Sequence, residues 1–233
     1  MALRAITVPA LAAVPGLVHG FERRHGPGGG ESREESRRRV AEALAPAGRL
    51  LLPRQVHGAT VARAPWEGTP EADASVATGQ GLLLGIETAD CLPVLIVDPR
   101  RRSVAAVHAG WRGTVAGVAA RTVEALAGEG SDPRDLLAAL GPSIGPCCYE
   151  VGEELREAFG PAGAAVFRPG PRGRPHLDVR AANVAQLLAA GLRAEGIHHV
   201  PDCTACRPEV YHSYRRDGPG AGRMISFVGW GAA

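Results

Sequence analysis

Two histidines and one cysteine stand at the ends of apolar runs in this chain. They are His57 in RQVHGAT, Cys91 in ETADCLPVLIVD and His108 in AVHAGWRGT. Imidazole nitrogens and a thiolate are ligands for Zn²⁺, and three protein ligands leave the fourth tetrahedral position open, the pattern of catalytic zinc. Such an ion acidifies water and polarises a substrate. Without a metal, the same residues offer Cys91 as a nucleophile with His108 or His57 as its base. A buried thiol and two hydrogen-bonded imidazoles would do no chemistry at all. Spacing alone does not choose, because the chain has no HExxH and no paired CxxC modules.

The other four cysteines are Cys147 and Cys148 in GPSIGPCCYEVG and Cys203 and Cys206 in CTAC. A structural zinc held by these four is set behind the His57–Cys91–His108 group. CTAC does not open a helix after a strand, as a thioredoxin-type pair would. The odd total of five cysteines does not suggest a secreted disulfide framework.

Every basic residue is arginine or histidine; there is no lysine. This excludes a Schiff-base mechanism and a Walker-A phosphate loop. Any anion is then held by guanidinium groups, imidazole or backbone N–H groups. Arg112 lies in the turn GWRGT ahead of a helix, and Arg215, Arg216 and Arg223 lie in YHSYRRDGPGAGRM. Surface charge is the competing reading of all four. Asp73, Glu87 and Asp90 are candidate proton shuttles, and Asp90 is also a candidate to orient a histidine.

The elements that must position these groups follow from hydrophobic periodicity. Gly81–Ile86, Pro93–Asp98 and Ser103–His108 are apolar, β-rich runs, so apolar that they predict strands covered on both faces. RLLLPRQVHGATVARA reads as strand, bulge at Pro53, strand. Thr114–Ala127 has helical spacing, with Val115, Val118, Ala119, Val123 and Leu126 on one side and Thr114 as N-cap. SREESRRRVAEALAPAG, YEVGEELREAFG and VRAANVAQLLAAGLRAEG read as helices; DLLAALG, IHHVP and the last apolar run read as strands. GPGGGES reads as a flexible loop. No repeat is evident, and the alternation predicts one mixed α/β domain over residues 1–233.

At 233 residues, 45 % hydrophobic and a net charge of +2, the chain has ample core and no nucleic-acid footprint. No apolar run reaches the roughly 18–20 residues of a spanning helix. The apolar N-terminal stretch is interrupted by Pro9 and Pro15, and TVPAL reads as a strand edge rather than a signal peptide. A cytoplasmic monomer acting on small molecules, without nucleic-acid or membrane partners, is the expectation.

The motifs GLVHGF, QVHG, EADASVAT, TADCLPVLIVD, VAAVHAGWRGT, LGPSIGPCCYEVG, LDVRAANVAQLLAAG and HSYRRDGPGAGRM run almost end to end. In them the chain resembles the YfiH family, also called the laccase-domain or multicopper polyphenol oxidase family. The resemblance implies layered mixed β-sheets flanked by helices, related to bacterial toxin deamidases. It implies a zinc site on His57, Cys91 and His108, which also makes these the catalytic residues. It implies purine nucleoside phosphorylase activity on adenosine, inosine, guanosine and methylthioadenosine, with adenosine deaminase activity. Arg112, Arg215 and Arg216 are then the candidates for phosphate. The alternative within the family is a Cys–His hydrolase or amidase that edits a peptidoglycan precursor, with Cys91 as nucleophile; a non-catalytic, zinc-stabilised binding domain is a third class. A copper-dependent laccase is not favoured: its trinuclear cluster uses His-x-His pairs, and none of the eight histidines here forms one. The stretch after FERRHGPGGGES is compressed relative to the family, which puts any substrate contact there in question.

Overall fold

The computed structural model describes residues 3–25 and 32–232, so the GPGGGES stretch expected as a loop lies, all but Ser32, outside the described residues. Two mixed sheets stack face to face. The first has the order β1 (Ala5–Ile6), β2 (Leu17–Glu22), β13 (Met224–Trp230), β6 (Leu82–Thr88) and β3 (Arg49–Leu51), antiparallel except at β6–β3. The second has the order β12 (Ile197–His199), β9 (Leu137–Leu140), β7 (Leu92–Asp98), β8 (Ser103–Ala109), β5 (Ala74–Thr78) and β4 (Val61–Arg63). Its outermost pairs are parallel and its inner pairs antiparallel. A hairpin of β10 (Phe167–Pro169) and β11 (Pro175–Leu177) stands apart from both. The helices are α1 (Pro9–Ala12), α2 (Arg33–Leu44), α3 (Trp111–Val115), α4 (Val118–Gly128), α5 (Glu153–Phe159), α6 (Val179–Ala189) and α7 (Tyr214–Asp217). This is the mixed α/β architecture of layered sheets flanked by helices that the sequence predicts.

Side-chain alternation in β7 and β8 explains the layering. Leu92, Val94, Ile96, Ala105 and Val107 face α4 and α6, whereas Leu95, Val97, Val104 and Ala106 face Leu84, Ile86 and Val228 of the first sheet. Successive strand residues point to opposite faces, so a strand apolar at every position needs cover on both. On the outer face of the first sheet, Val40 and Leu44 of α2 pack against Leu83, Ile225 and Phe227.

Three local expectations change. The helix expected over Thr114–Ala127 is two helices, broken at Gly117, which takes φ +77°. Thr114 is therefore no N-cap; it is buried inside α3, where its hydroxyl accepts a hydrogen bond from Asn183 of α6. Val115 lies before the break and is 41 % exposed, while Val118, Ala119, Val123 and Leu126 are buried as expected. TVPAL is not a strand edge, because Pro9 opens α1 at a position where its missing N–H costs nothing. The two strands expected around Pro53 form, but they join different sheets, and the connection between them carries His57.

α2 is fixed to the first sheet by ion pairs as well as by its apolar side. Ser32 and Glu35 form a capping box at its start. Arg33 and Arg37 both bind the carboxylate of Glu87, a residue only 3 % exposed. Burial alone would raise the Glu87 pKa, but the two guanidinium groups hold it below 4.5. A depressed carboxyl pKa contributes stability above pH 4.5, its unfolded value, and that contribution disappears as pH falls through the folded one. Glu87→Gln is expected to lower the urea midpoint at pH 7 and to flatten its dependence on pH below about 4.5; urea titrations across that range test this.

Candidate functional site

Strand register brings the site residues together. β7 and β8 pair Leu92 with Ala109 and Pro93 with His108, so Cys91, one residue before β7, lies beside the end of β8 that carries His108. β5 flanks β8 with Ala74 opposite Val107, and the His108 N–H donates to the Asp73 carbonyl at 2.7 Å. β4 starts opposite Ala74, which brings the turn before it to the same edge.

Asp73 organises that edge. Its Oδ1 is 2.8 Å from His108 Nδ1, and its carboxylate accepts the N–H groups of Val56 (3.2 Å), His57 (2.9 Å) and Gly58 (2.6 Å). A carboxylate only accepts, so His108 carries a proton on Nδ1 and turns Nε2 toward Cys91 and His57. The three backbone bonds hold the turn in which His57 adopts φ +61°. Gln55 adds a second tie by exchanging two 2.8 Å hydrogen bonds with the Glu87 backbone.

One ligand atom from each of His57, Cys91 and His108 lies within 4.8 Å of the others. The two imidazoles meet edge to face, with centroids 4.9 Å apart. A Cβ at position 110 would sit 3.1 Å from Cys91 Sγ and 3.3 Å from His57 Cδ2, so only glycine leaves this space open. Burial opposes ionisation of Cys91, but the charge and hydrogen bonds of His108 and then His57 outweigh it and bring the thiol down to about 6. Burial likewise opposes the charge on His108, yet the Cys91 thiolate and the Asp73 carboxylate raise it to about 9. The metal-free site is thus a thiolate–imidazolium pair through neutral pH. Two nitrogens and a thiolate gathered around one point form a donor set that can hold a metal ion.

A cavity of about 440 Å³ opens onto this group. Trp111, Ile144, Tyr149 and Tyr214 form much of its wall, and Arg33, Arg215 and Arg223 are its cationic residues. Burial and then the Cys91 charge push the Tyr149 phenol up to about 12, so it is an O–H donor at neutral pH. Among the arginines expected to hold an anion, Arg215 lines the cavity, stacked 5.1 Å from the centre of the Tyr149 ring. Arg112 is exposed outside the lining, its guanidinium 4.3 Å from the Trp111 ring centre. Arg216 is turned away onto the carbonyls of Thr204 (3.0 Å) and Tyr211 (2.9 Å) and the carboxylate of Asp217.

The candidate carboxylates also separate. Asp73, not Asp90, orients a histidine. Asp90 takes φ +89° and is held by the Thr204 hydroxyl and the Arg215 N–H, each at 2.6 Å. Glu87 lines the cavity while paired with Arg33 and Arg37. Tyr149, Gln55 and Arg33 were not singled out by sequence; Gln55 alone left a signal, two residues before His57 in QVHG.

Fold and site together define a layered α/β protein with a two-histidine, one-cysteine centre at a sheet edge. The family model described as "Multi-copper polyphenol oxidoreductase laccase" matches residues 30–231. The chain belongs to this laccase-like family, the YfiH family. The Escherichia coli protein named purine nucleoside phosphorylase YfiH is 39 % identical over 204 residues, covering 84 % of this chain and 79 % of its own. A protein named adenosine deaminase RL5, from an unknown prokaryotic organism, is 40 % identical over 197 residues, covering 77 % and 74 %. The crystal structure of YlmD from Geobacillus stearothermophilus matches with a TM-score of 0.85 at 32 % identity, covering 94 % of this chain and 93 % of that one. No helix among the described residues is long and apolar enough to cross a membrane.

The lowered Cys91 pKa is measurable. In protein stripped of metal, Cys91 alkylation followed by peptide mass spectrometry is expected to rise with pH around a midpoint of about 6. His108→Ala is expected to move that midpoint up; a midpoint near 9 in the unaltered chain contradicts the thiolate–imidazolium pair.

Proposed function

We propose that this chain is a purine nucleoside phosphorylase that also deaminates adenosine, with Zn²⁺ held by His57, Cys91 and His108. Its substrates are adenosine, inosine, guanosine and methylthioadenosine. The observation that carries this reading is the gathering of those three ligands at a cavity of about 440 Å³ with aromatic and guanidinium walls. That volume suits a small ligand rather than a polymer. The names borne by the relatives supply the reaction.

Zinc held by these three residues would supply Lewis acidity to a bound water or substrate. Asp73 holds the His108 ring by Nδ1 and so leaves Nε2 as the nitrogen that a metal would displace a proton from and bind. Trp111 and Tyr149 give a purine an aromatic surface, and the Tyr149 hydroxyl gives it a donor. Arg215 and Arg223 face the cavity and are assigned to phosphate, displacing Arg112 and Arg216 from that role. In phosphorolysis the sugar–purine bond breaks as a phosphate oxygen bonds to the sugar carbon; guanidinium groups fixed in advance cost no reorganisation in that step.

Adenosine with phosphate is expected to yield adenine and ribose 1-phosphate, and adenosine alone inosine, in chromatographic assays of metal-loaded protein. His108→Ala is expected to remove both activities. Neither product from the unaltered protein would overturn the reading.

One observation favours a second reading. Cys91, His108 and Asp73 form a thiolate–imidazolium–carboxylate series, the arrangement of a cysteine nucleophile with an oriented base. An amidase acting on a peptidoglycan precursor would use it. Cys91→Ser separates the two readings: a zinc site loses bound metal along with activity, whereas a nucleophile loses activity at unchanged zinc content, read by elemental analysis.

A further inference from the structure

The geometry points to a second metal site, a structural Zn²⁺ centre formed by Cys147, Cys148, Cys203 and Cys206. The sequence sets these two pairs behind the His57–Cys91–His108 group, whereas the fold gathers all four of them at one point. All four sulfur atoms lie within 4.8 Å of one another. Cys206 Sγ is 3.6 Å from Cys147 Sγ and 3.4 Å from Cys148 Sγ, and all four cysteines are free thiols. Tetrahedral zinc with Zn–S bonds of about 2.3 Å sets its sulfurs about 3.8 Å apart. The observed spacing is close to that edge and far from the about 2.05 Å of a covalent S–S bond.

The surroundings suit a thiolate centre rather than four crowded thiols. The Gly145 N–H donates to Cys203 Sγ at 3.2 Å, and the Cys206 N–H also faces that sulfur. Such N–H···S bonds spread the charge of a metal thiolate and orient its ligand. The two cysteine loops are laced together by the Ser143–Cys203 bridge and by the Thr204 N–H on the Ser143 carbonyl. Adjacent arginines clamp each loop from behind. Arg215 holds the carbonyls of Cys148 and Glu150, and Arg216 holds that of Thr204. Each Zn–S bond replaces an S–H whose proton passes to solvent, so the completed centre is a dianion. The nearby charge of Arg180 offsets it.

With all four positions filled by protein, this zinc would have no place for substrate, so its role is to brace. The brace ends at the first site. Thr204, inside the CTAC loop, donates to Asp90 at 2.6 Å, and Asp90 precedes Cys91. Arg215 reaches both the Cys148 loop and Asp90. The second centre thus fixes the turn that aims Cys91, whatever reaction Cys91 serves.

The test first removes the other site and leaves these four cysteines in place. The double variant Cys91→Ala/His108→Ala, purified under reductant, is stripped and titrated with Zn²⁺ and separately with Co²⁺. One zinc per chain by native mass spectrometry is expected, with the charge-transfer and visible bands of a tetrahedral tetrathiolate cobalt site. Adding Cys203→Ser and Cys206→Ser is expected to remove both signals. No bound metal in the double variant, or four freely alkylated thiols in the presence of zinc, overturns the proposal. Iron at these cysteines in the purified protein overturns its assignment to zinc.

Discussion

The Asp73 carboxylate is fully buried, yet it is met by three consecutive backbone N–H groups and by a ring N–H of His108. A carboxylate removed from water is costly unless its lone pairs are filled, and here four donors fill them. The His108 interaction and the Gly58 and Val56 N–H groups also hold its pKa low against the effect of burial. The same bonds set the His57 turn in a left-handed conformation and choose the His108 tautomer. The position of Asp73 at the start of β5, beside β8 and opposite β4, is therefore the condition on which the centre rests. Sheet order and site geometry are one constraint seen at two scales.

The rest of the site is built by covering that edge. α3 follows β8 directly and puts Trp111 into the wall, while Asn183 and Gln186 of α6 hold α3 through the side chain and carbonyl of Thr114. On the other side α2 reaches over the first sheet to Glu87. Pairing by Arg33 and Arg37 means that Glu87 brings little uncompensated negative charge to the cavity. The remaining cations therefore act on a space where burial strengthens each electrostatic contact.

Much of this was legible in the chain. β7 and β8 read as fully covered strands, with Cys91 just before β7 and His108 near the end of β8, and His57 follows the strand before Pro53. What sequence could not supply was register. Asp73 and Asp90 look equivalent as neighbours of the site until the β5–β8 pairing puts one under His108 and the other against Thr204. The arginines separate for a related reason: Arg215 and Arg216 are adjacent and both hold carbonyls, and the short helix α7 decides that only Arg215 lines the cavity. β5 itself went unseen because ASVAT is short and small-chained, its strand state imposed by neighbours rather than by pattern. The two cysteine pairs are far apart in the chain, and the Ser143–Cys203 bridge with the hydrogen bonds beside it, which no sequence pattern announces, brings them together.

β13 comes after every other strand in the chain, yet it occupies the centre of the first sheet, between β2 and β6. Arg215 and Arg223 precede it closely. While a ribosome is still making this protein, β2 and β6 therefore have open edges and the cavity lacks a wall. The second sheet, including the ends of β7 and β8, can form earlier. Pairing at such sequence separation is slow and leaves unpaired strands exposed meanwhile. The cavity is in this sense a late product: its wall is complete only when β13 has threaded between β2 and β6, two strands made long before it.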